Sequence, residues 1–535
     1  MKTRLKLFPT VLALIFLLSV FSLGAAADVK YDAHDVEKFR AFLEETDADG
    51  ITNGSKLSAS YDPDDPSTWT GEGDGFTKYK YGVNWNEDGR AVAFYCDSYI
   101  NGVVYGDFDV SGCDALEYVN IYGAAIESAN FAGCSSLSEL TMYYPEVPLE
   151  QIDLSGNTAL TRIILNDNAL TELDLSGSPN LIQLLVEGNK LSELDISSNM
   201  KLALIMCERN SIKEIDLTGH SELIELHCDY NELTYLDTSE CPQLYNLQFN
   251  YNNIESINLS QNPEIAALGC AGNGVKELSV SGLSELWMLE CQENELTSLD
   301  LRDTCIKDLY CNDNMLEEIL VPENSNVQWL YCQNNRLSSL DLENMPNLSA
   351  FNGDGNLFEE LLISGGITDF SCVGNPMKHL DLRHNSGSLE LFAQGNGAIG
   401  AYYDYDVLKY TARAEAGDGE TFLGWYDENG NLASEAADYA LDGADSTLYA
   451  RFSVSGEPTP TPSAPVIDPT EAPVGPTQAP VDPTQAPVDP TQAPVDPDPD
   501  DPTPPTTGAV SLICIGLAVA AGGASAMLLR RKSGR

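Results

Sequence analysis

Basic residues are scarce in this chain of 535 residues: 28 Lys and Arg stand against 82 Asp and Glu, for a formal net charge of −54. That balance repels phosphate backbones and anionic membrane surfaces and removes the electrostatic attraction that drives nonspecific nucleic-acid binding. Histidine is nearly absent, with five in all: His34, His220, His227, His379 and His384. None belongs to an H-E-x-x-H pattern, and no G-x-S-x-G or P-loop occurs. Gly71, Gly73 and Gly75 form a glycine-rich stretch without the lysine and helix that phosphate binding needs. His379 and Asp381 alternate on one expected strand near His384, yet no Ser or Cys nucleophile falls beside them. The 13 cysteines include no C-x-x-C pair, which excludes the common zinc-knuckle spacing. The sequence therefore predicts no enzyme, no cofactor and no nucleic-acid partner.

What is present is a metronome. Asparagine recurs at Asn168, Asn189, Asn210, Asn231, Asn252, Asn273, Asn294, Asn314, Asn335, Asn356, Asn375 and Asn396, in steps of 21 with single steps of 20 and 19. Around it runs the frame L-x-x-L-x-C-x-x-N-x-L-x-x-L-D-L-S, as in Leu223, Leu226, Cys228, Asn231, Leu233, Leu236 and Asp237. The unit is identified as a leucine-rich repeat, and the fold class expected is a predominantly β solenoid with about 21 residues per coil, parallel sheets, an N-terminal cap and a small C-terminal β-grasp-like module. The nested second L-x-x-L-D-L-S half resembles the bacterial class of that repeat. Phe131, Cys134 and Leu137 resemble instead the F-x-x-C-x-x-L motif of the treponemal type. In such coils the asparagine amide bonds backbone at a tight bend, so the ladder is structural. Cys207, Cys228, Cys270, Cys291, Cys311, Cys332 and Cys372 share one inward position with Val186 and Phe249, which marks them as packing thiols.

Function is left to the outward positions. The exposed place on the L-x-C strand runs Ile164, Leu185, Met206, His227, Gln248, Gly269, Glu290, Tyr310, Tyr331, Asn352, Ser371 and Phe392. Aromatics beside acids and amides suit a protein or glycan ligand, and Tyr310, Trp329, Tyr331, Glu290, His227 and Tyr251 are the candidate ligand-binding residues. The alternative is solvated surface, since aromatics favour strands in any case. A second strand is expected to display Asp153, Asp174, Asp195, Asp216 and Asp237. At about 5 Å, neighbouring carboxylates repel by roughly 0.8 kcal/mol in water, offset either by Ser hydroxyls and backbone donors or by a ladder of divalent cations.

The remaining segments divide by composition. Lys2, Arg4 and Lys6, the apolar run Val11 to Leu23 and the small residues Gly24 to Ala27 form a signal peptide over 1–27. Residues 28–110 read as a capping region, with a helix from Val36 to Leu43 and a hairpin near Gly82 to Trp85. Asp47, Ala48, Asp49 and Gly50 imitate a calcium loop, but Glu45 and Lys56 break the ligand pattern. The repeats occupy 111–400. Residues 401–453, with Phe422, Gly424, Trp425, Tyr426, Leu448, Ala450 and Phe452, resemble the β-grasp-like B repeats of internalin-type surface proteins. From 454 to 507 the chain is Pro-rich and repeats A-P-V-D-P-T-Q, a stalk of extended polyproline character. Pro504, Pro505, Thr506, Thr507 and Gly508 resemble a sortase sorting signal in which Pro504 replaces leucine, followed over 508–535 by an apolar stretch and Arg530, Arg531, Lys532 and Arg535. The resemblance rests on Pro505, Thr507 and Gly508; it implies a sortase as partner and attachment of Thr507 to peptidoglycan. The other reading is a single membrane anchor through the C-terminal helix. Either places the body outside the cell, at its surface. Two functions fit: an adhesin-like binder of a protein or glycan, or a structural wall spacer that assembles without a specific ligand.

Overall fold

The computed structural model describes residues 30–73, 78–367, 369–372, 374–376, 379–385, 390–392, 399–404, 409–414, 420–427, 430–441 and 447–454. The segments read as signal peptide, stalk and sorting signal with its apolar stretch, together with Asn396, lie outside them. Among the described residues no helix is long and apolar enough to cross a membrane.

One sheet of 16 strands runs the length of the repeats. It opens with an antiparallel pair, Gly82–Trp85 against Ala91–Asp97, and every later neighbour is parallel. From Arg162–Ile164 onward each strand has three residues, and the middle one points inward: Ile163, Leu184, Ile205, Leu226, Leu247, Leu268, Leu289, Leu309 and Leu330 are fully buried. A leucine so placed contributes on the order of 2 kcal/mol by leaving water. Repetition of one inward residue therefore holds strand register, since a one-residue slip would turn the leucine row to solvent.

The frame asparagines close each coil. Asn231 Nδ2 donates to the carbonyls of Cys207 (3.0 Å), Cys228 (3.1 Å) and Asp229 (3.2 Å), and its Oδ1 accepts from Ile212 N–H at 2.9 Å. The same pattern ties Asn189, Asn252 and Asn335 to the coil before. Backbone groups stranded by the bend are thus paired without water. The 12 described cysteines form no disulfide with one another, and all but Cys305 are buried.

The parallel stack begins earlier than the leucine frame. Ala91–Asp97, inside the span 28–110 read as cap, pairs in parallel with Tyr118–Tyr122. Its inward residues are Phe94 and Cys96, which fill the layer without leucine. The cap proper is the helix Ala33–Leu43, started by Asp32, whose carboxylate accepts from His34 and Asp35 N–H. It lays Phe39 and Phe42 on Phe94 and Phe108. The fully buried Asp35 is held by Arg90 Nε at 2.8 Å and Ala91 N–H at 3.0 Å, so the charge taken from water is paired twice. In the loop that imitates a calcium site, Lys56 Nζ lies 2.9 Å from Asp47, with the ammonium where a cation would sit. At the other end Thr447–Val454 pairs antiparallel with both Glu420–Tyr426 and His379–Asn385.

The second face departs from expectation. Gln151–Asp153, Ser298–Asp300 and Glu318–Leu320 are strands there, but Asp174, Asp195, Asp216 and Asp237 are not in strands. Each carboxylate accepts the N–H two residues on, at 2.9 Å from Ser176, Ser197, Thr218 and Ser239, where the chain turns; Asp153 makes the same bond to Ser155 at the end of its strand, so the bond fixes the turn that follows and does not by itself decide whether a strand precedes it.

Candidate functional site

In each three-residue strand the first and third side chains face outward, and parallel register stacks them in rows. The third residues Met206, His227, Gln248, Gly269, Glu290, Tyr310, Tyr331 and Asn352 are consecutive partners. His227, Glu290, Tyr310 and Tyr331 therefore share one row, and Trp329 stands beside Tyr331 on the same strand. Tyr251 lies off the row, in the turn after its strand.

The row has an aromatic end. The rings of Tyr310 and Tyr331 stack with centroids 5.1 Å apart and planes 2° from parallel, a contact worth about 1 kcal/mol beyond burial. Trp329 keeps 46 % of its surface exposed, the largest apolar surface on this stretch of the sheet. Burial, then Asp308 and Tyr331, pushes the Tyr310 phenol up to about 12, so it stays a neutral donor. Tyr251 stacks on Tyr230 at 4.6 Å and donates its hydroxyl to Glu293 at 3.0 Å. Both tyrosines adopt positive φ, 52° and 53°. Gly272 leaves the space beneath: a Cβ there would meet the Tyr251 ring at 2.5 Å.

The other end is acidic and half sunk into the surface. His227, 7 % exposed, has Nε2 3.1 Å from Asn246 Nδ2 and 3.6 Å from Glu225 Oε2, while Nδ1 lies 3.7 Å from Glu208 Oε1. Asp229, 9 % exposed, accepts Asn250 N–H at 2.9 Å. Asn250 in turn accepts from Ala271 N–H at 2.7 Å and reaches Gln248 and Glu290 at 3.3 and 3.5 Å. Burial raises Glu208 to about 8, and raises Asp229 and Glu290 as well. Burial works against a charged His227, but Glu225, Glu208 and Asp229 outweigh it and raise its pKa. Arg209 stands nearby, committed to Asp167 at 2.9 Å and Glu187 at 3.1 Å. Glu290 is the junction, partnered in register with Tyr310 on one side and tied to Asn250 on the other.

Sequence reasoning found the row and missed what flanks it. Glu208, Asp229 and Asn250 sit two residues before the frame asparagines, in the turn, a position the strand pattern passes over although it recurs every 21 residues. A second aromatic group was also missed: Tyr122 and Tyr143 pack at 4.7 Å, with Tyr99 and Tyr144 against Tyr122 at 5.1 and 5.7 Å. Tyr99 is 74 % exposed. Its signal was available as tyrosines at matching places in the irregular first coils. The Asp153, Asp174, Asp195, Asp216 and Asp237 carboxylates remain on the other face, each on its own turn. The hydroxyl of Ser176, Ser197 or Thr218, with the backbone N–H next, holds Asp174, Asp195 and Asp216 below the usual range; for Asp237 the N–H of Ser239 leads.

No family model matches the chain, and no curated protein does. Among solved structures it is similar to the functional domain of InlJ from Listeria monocytogenes, described as including a cysteine ladder: 20 % identity, 63 % of this chain and 80 % of that one, TM-score 0.42. It is similar to an internalin, inlF, of the same organism at 19 % identity, with 61 % and 89 % covered and TM-score 0.42. It is also similar to YopM, a leucine-rich effector protein from Yersinia pestis, at 19 % identity, with 50 % and 74 % covered and TM-score 0.43.

Proposed function

We propose that the outward face of the long sheet binds a protein ligand outside the cell, with Trp329, Tyr331 and Tyr310 as its anchors. The observation that carries this reading is the single row in which a stacked tyrosine pair and an exposed tryptophan continue, through Glu290, into the cluster around His227. Tyr and Trp offer large, rigid contact area at low entropic cost, and they dominate the energetics of protein interfaces. A chain of net charge −54 favours a ligand with a basic surface, which speeds encounter and makes it salt-dependent. Display at the cell surface is part of the proposal. Its support is the order of segments: signal peptide, repeats, Pro-rich stalk, then Pro505, Thr507 and Gly508 before an apolar stretch with a basic tail. A sortase would join Thr507 to peptidoglycan.

Screening the protein against protein and glycan arrays tests the binding half. A protein hit weakened at least 100-fold by the triple variant Tyr310→Ala, Trp329→Ala, Tyr331→Ala is expected. Glycan hits alone would move the ligand to the sugar class, and binding equal in the triple variant, or no hit, would leave the wall-spacer function. Protease treatment of intact cells tests display: the repeats should be released into the medium, and their retention inside would end that part.

A further inference from the structure

We propose that Glu208, His227 and Asp229 hold one divalent transition-metal ion, of the zinc(II) class, on the outward face of the sheet. Glu208 and Asp229 occupy the same place in successive coils, one residue past Cys207 and Cys228, and His227 ends the strand between them. Stacking of the coils brings one ligand atom from each within 4.8 Å of the others. Ligands around a tetrahedral zinc ion at 2.0–2.1 Å lie about 3.4 Å apart, so the three side chains need to close by up to about 1.4 Å, within the reach of their own torsions.

Independent features point to a missing positive partner. Glu208 Oε2 is sealed from solvent and has no hydrogen-bond partner. The His227 side chain is 8 % exposed, and its Nδ1 lies beyond hydrogen-bond reach of Glu208 Oε1 at 3.7 Å. A buried carboxylate oxygen left without a hydrogen bond is costly unless a ligand is shared with it. The nearby guanidinium of Arg209 is spent on Asp167 and Glu187.

The surroundings are those of a ligand set. Metal-binding imidazole characteristically gives its other N–H to a carboxylate or carbonyl oxygen, which orients the ring. Here Nε2 lies 3.1 Å from Asn246 Nδ2 and 3.6 Å from Glu225 Oε2, so a half-turn of the Asn246 amide would present its oxygen to Nε2–H and leave Nδ1 free toward Glu208. Asp229 accepts the Asn250 N–H through Oδ1 at 2.9 Å. An imidazole with two carboxylates favours zinc or its first-row neighbours over calcium and magnesium, which take oxygen ligands. The site lies outside the aromatic anchors, so metal binding is read without any macromolecular ligand.

The test uses the chelator-stripped full protein titrated with zinc chloride by calorimetry, with magnesium and calcium chloride as controls. One zinc ion per chain, a rise in Tm on loading, and at least tenfold weaker binding in Glu208→Gln and in His227→Gln are expected, the variants being checked for native circular dichroism. Cobalt(II) separates this site from the cysteines: d–d bands without sulfur charge-transfer absorption are expected. Absence of zinc binding, unchanged affinity in both variants, or a thiolate charge-transfer band would each overturn the proposal. Should His227→Gln fail to fold, Asp229→Asn gives the same discrimination.

Discussion

Each coil turns twice, and the two bends are secured differently. At the first bend asparagine stands in every frame coil described from Asn168 to Asn375, and each makes donations to the coil before while accepting an N–H, as Asn231 does. At the second bend the same depth in the core is held by Asn157, Ser178, Asn199, His220, Cys241 and Asn262 in turn, all nearly or wholly buried. Asn199 donates there to Leu175 and Ser178 carbonyls at 3.1 and 2.8 Å, but its Oδ1 has no partner, and neither has that of Asn157. A bend that uses both ends of the amide tolerates nothing but asparagine. A bend that can leave the amide oxygen unused, or meet it with a side-chain hydroxyl as Thr238 meets Asn262 at 2.7 Å, admits residues that merely fill space, because fewer bonds are lost.

That contrast sets the size of each expected effect. Asn231→Ala removes three donations and leaves the Ile212 N–H unpaired, while the Cys207, Cys228 and Asp229 carbonyls keep Asn210, Asn252 and the Arg209 N–H as donors; it should cost about 3 kcal/mol in urea unfolding, and a loss no greater than that of Asn199→Ala would erase the distinction. Asn199→Ala removes two donations and should cost roughly 1.5 kcal/mol. His220 is wholly buried with neither ring nitrogen bonded. His220→Asn places a donor where Asn199 and Asn262 have theirs, facing the carbonyls of Ile196 and Asn199, and should stabilise by about 1 kcal/mol. A destabilised His220→Asn variant would show that the ring volume matters more than the missing bonds.

The thiols extend the comparison to pH. Burial raises the strand cysteines Cys228, Cys291 and Cys311 well above the ordinary thiol value, and Cys241 at the second bend to about 11. A raised folded pKa means stability that is complete below the unfolded value near 8.5 and lost as pH rises toward the folded one. Tm should therefore fall above about pH 9, with each strand thiol responsible for on the order of 1 kcal/mol at pH 10. Cys228→Val should flatten that fall, and an unchanged slope would remove the thiols as its cause. The smallest effect belongs to the exposed Asp174, Asp195, Asp216 and Asp237, whose lowered pKa values give stability present above about pH 4 and lost as pH falls below it. Asp195→Ala should shift the acid limb of the Tm profile slightly and leave pH 7 to 9 untouched.

Much of the fold was legible because its signal repeats. Leu226, Cys228 and Asn231 recur in phase, and a residue that must be inward in one coil must be inward in the next, so coil length and sheet direction follow from spacing. The capping helix was legible from Val36, Phe39, Phe42 and Leu43, and extends to Ala33 only because Asp32 caps it. The aspartates of the second face misled: D-L-S alternates like a strand, but the same aspartate bond to the N–H two residues on closes a strand at Asp153 and Asp300 and follows unpaired chain at Asp174 to Asp237, so alternation there does not separate the two. Ala91–Asp97 escaped the frame since Phe94 and Cys96 fill their layer without leucine. Of the candidate site, the outward row was legible through the strand period. Glu208 and Asp229 were not, being turn residues whose meaning depends on the coil beneath.

By itself the sequence determined a leucine-rich solenoid of 21-residue coils, the inward place of its leucines and thiols, and the row on which His227, Glu290, Tyr310 and Tyr331 stand. Periodicity carries that information because every coil obeys the same local rule. Only the tertiary structure decided how deep His227 sits, that Glu208 and Asp229 close on it, and that Arg209 is spent elsewhere. Those are distances between side chains a full coil or two apart in sequence, and they exist only once the coils are stacked.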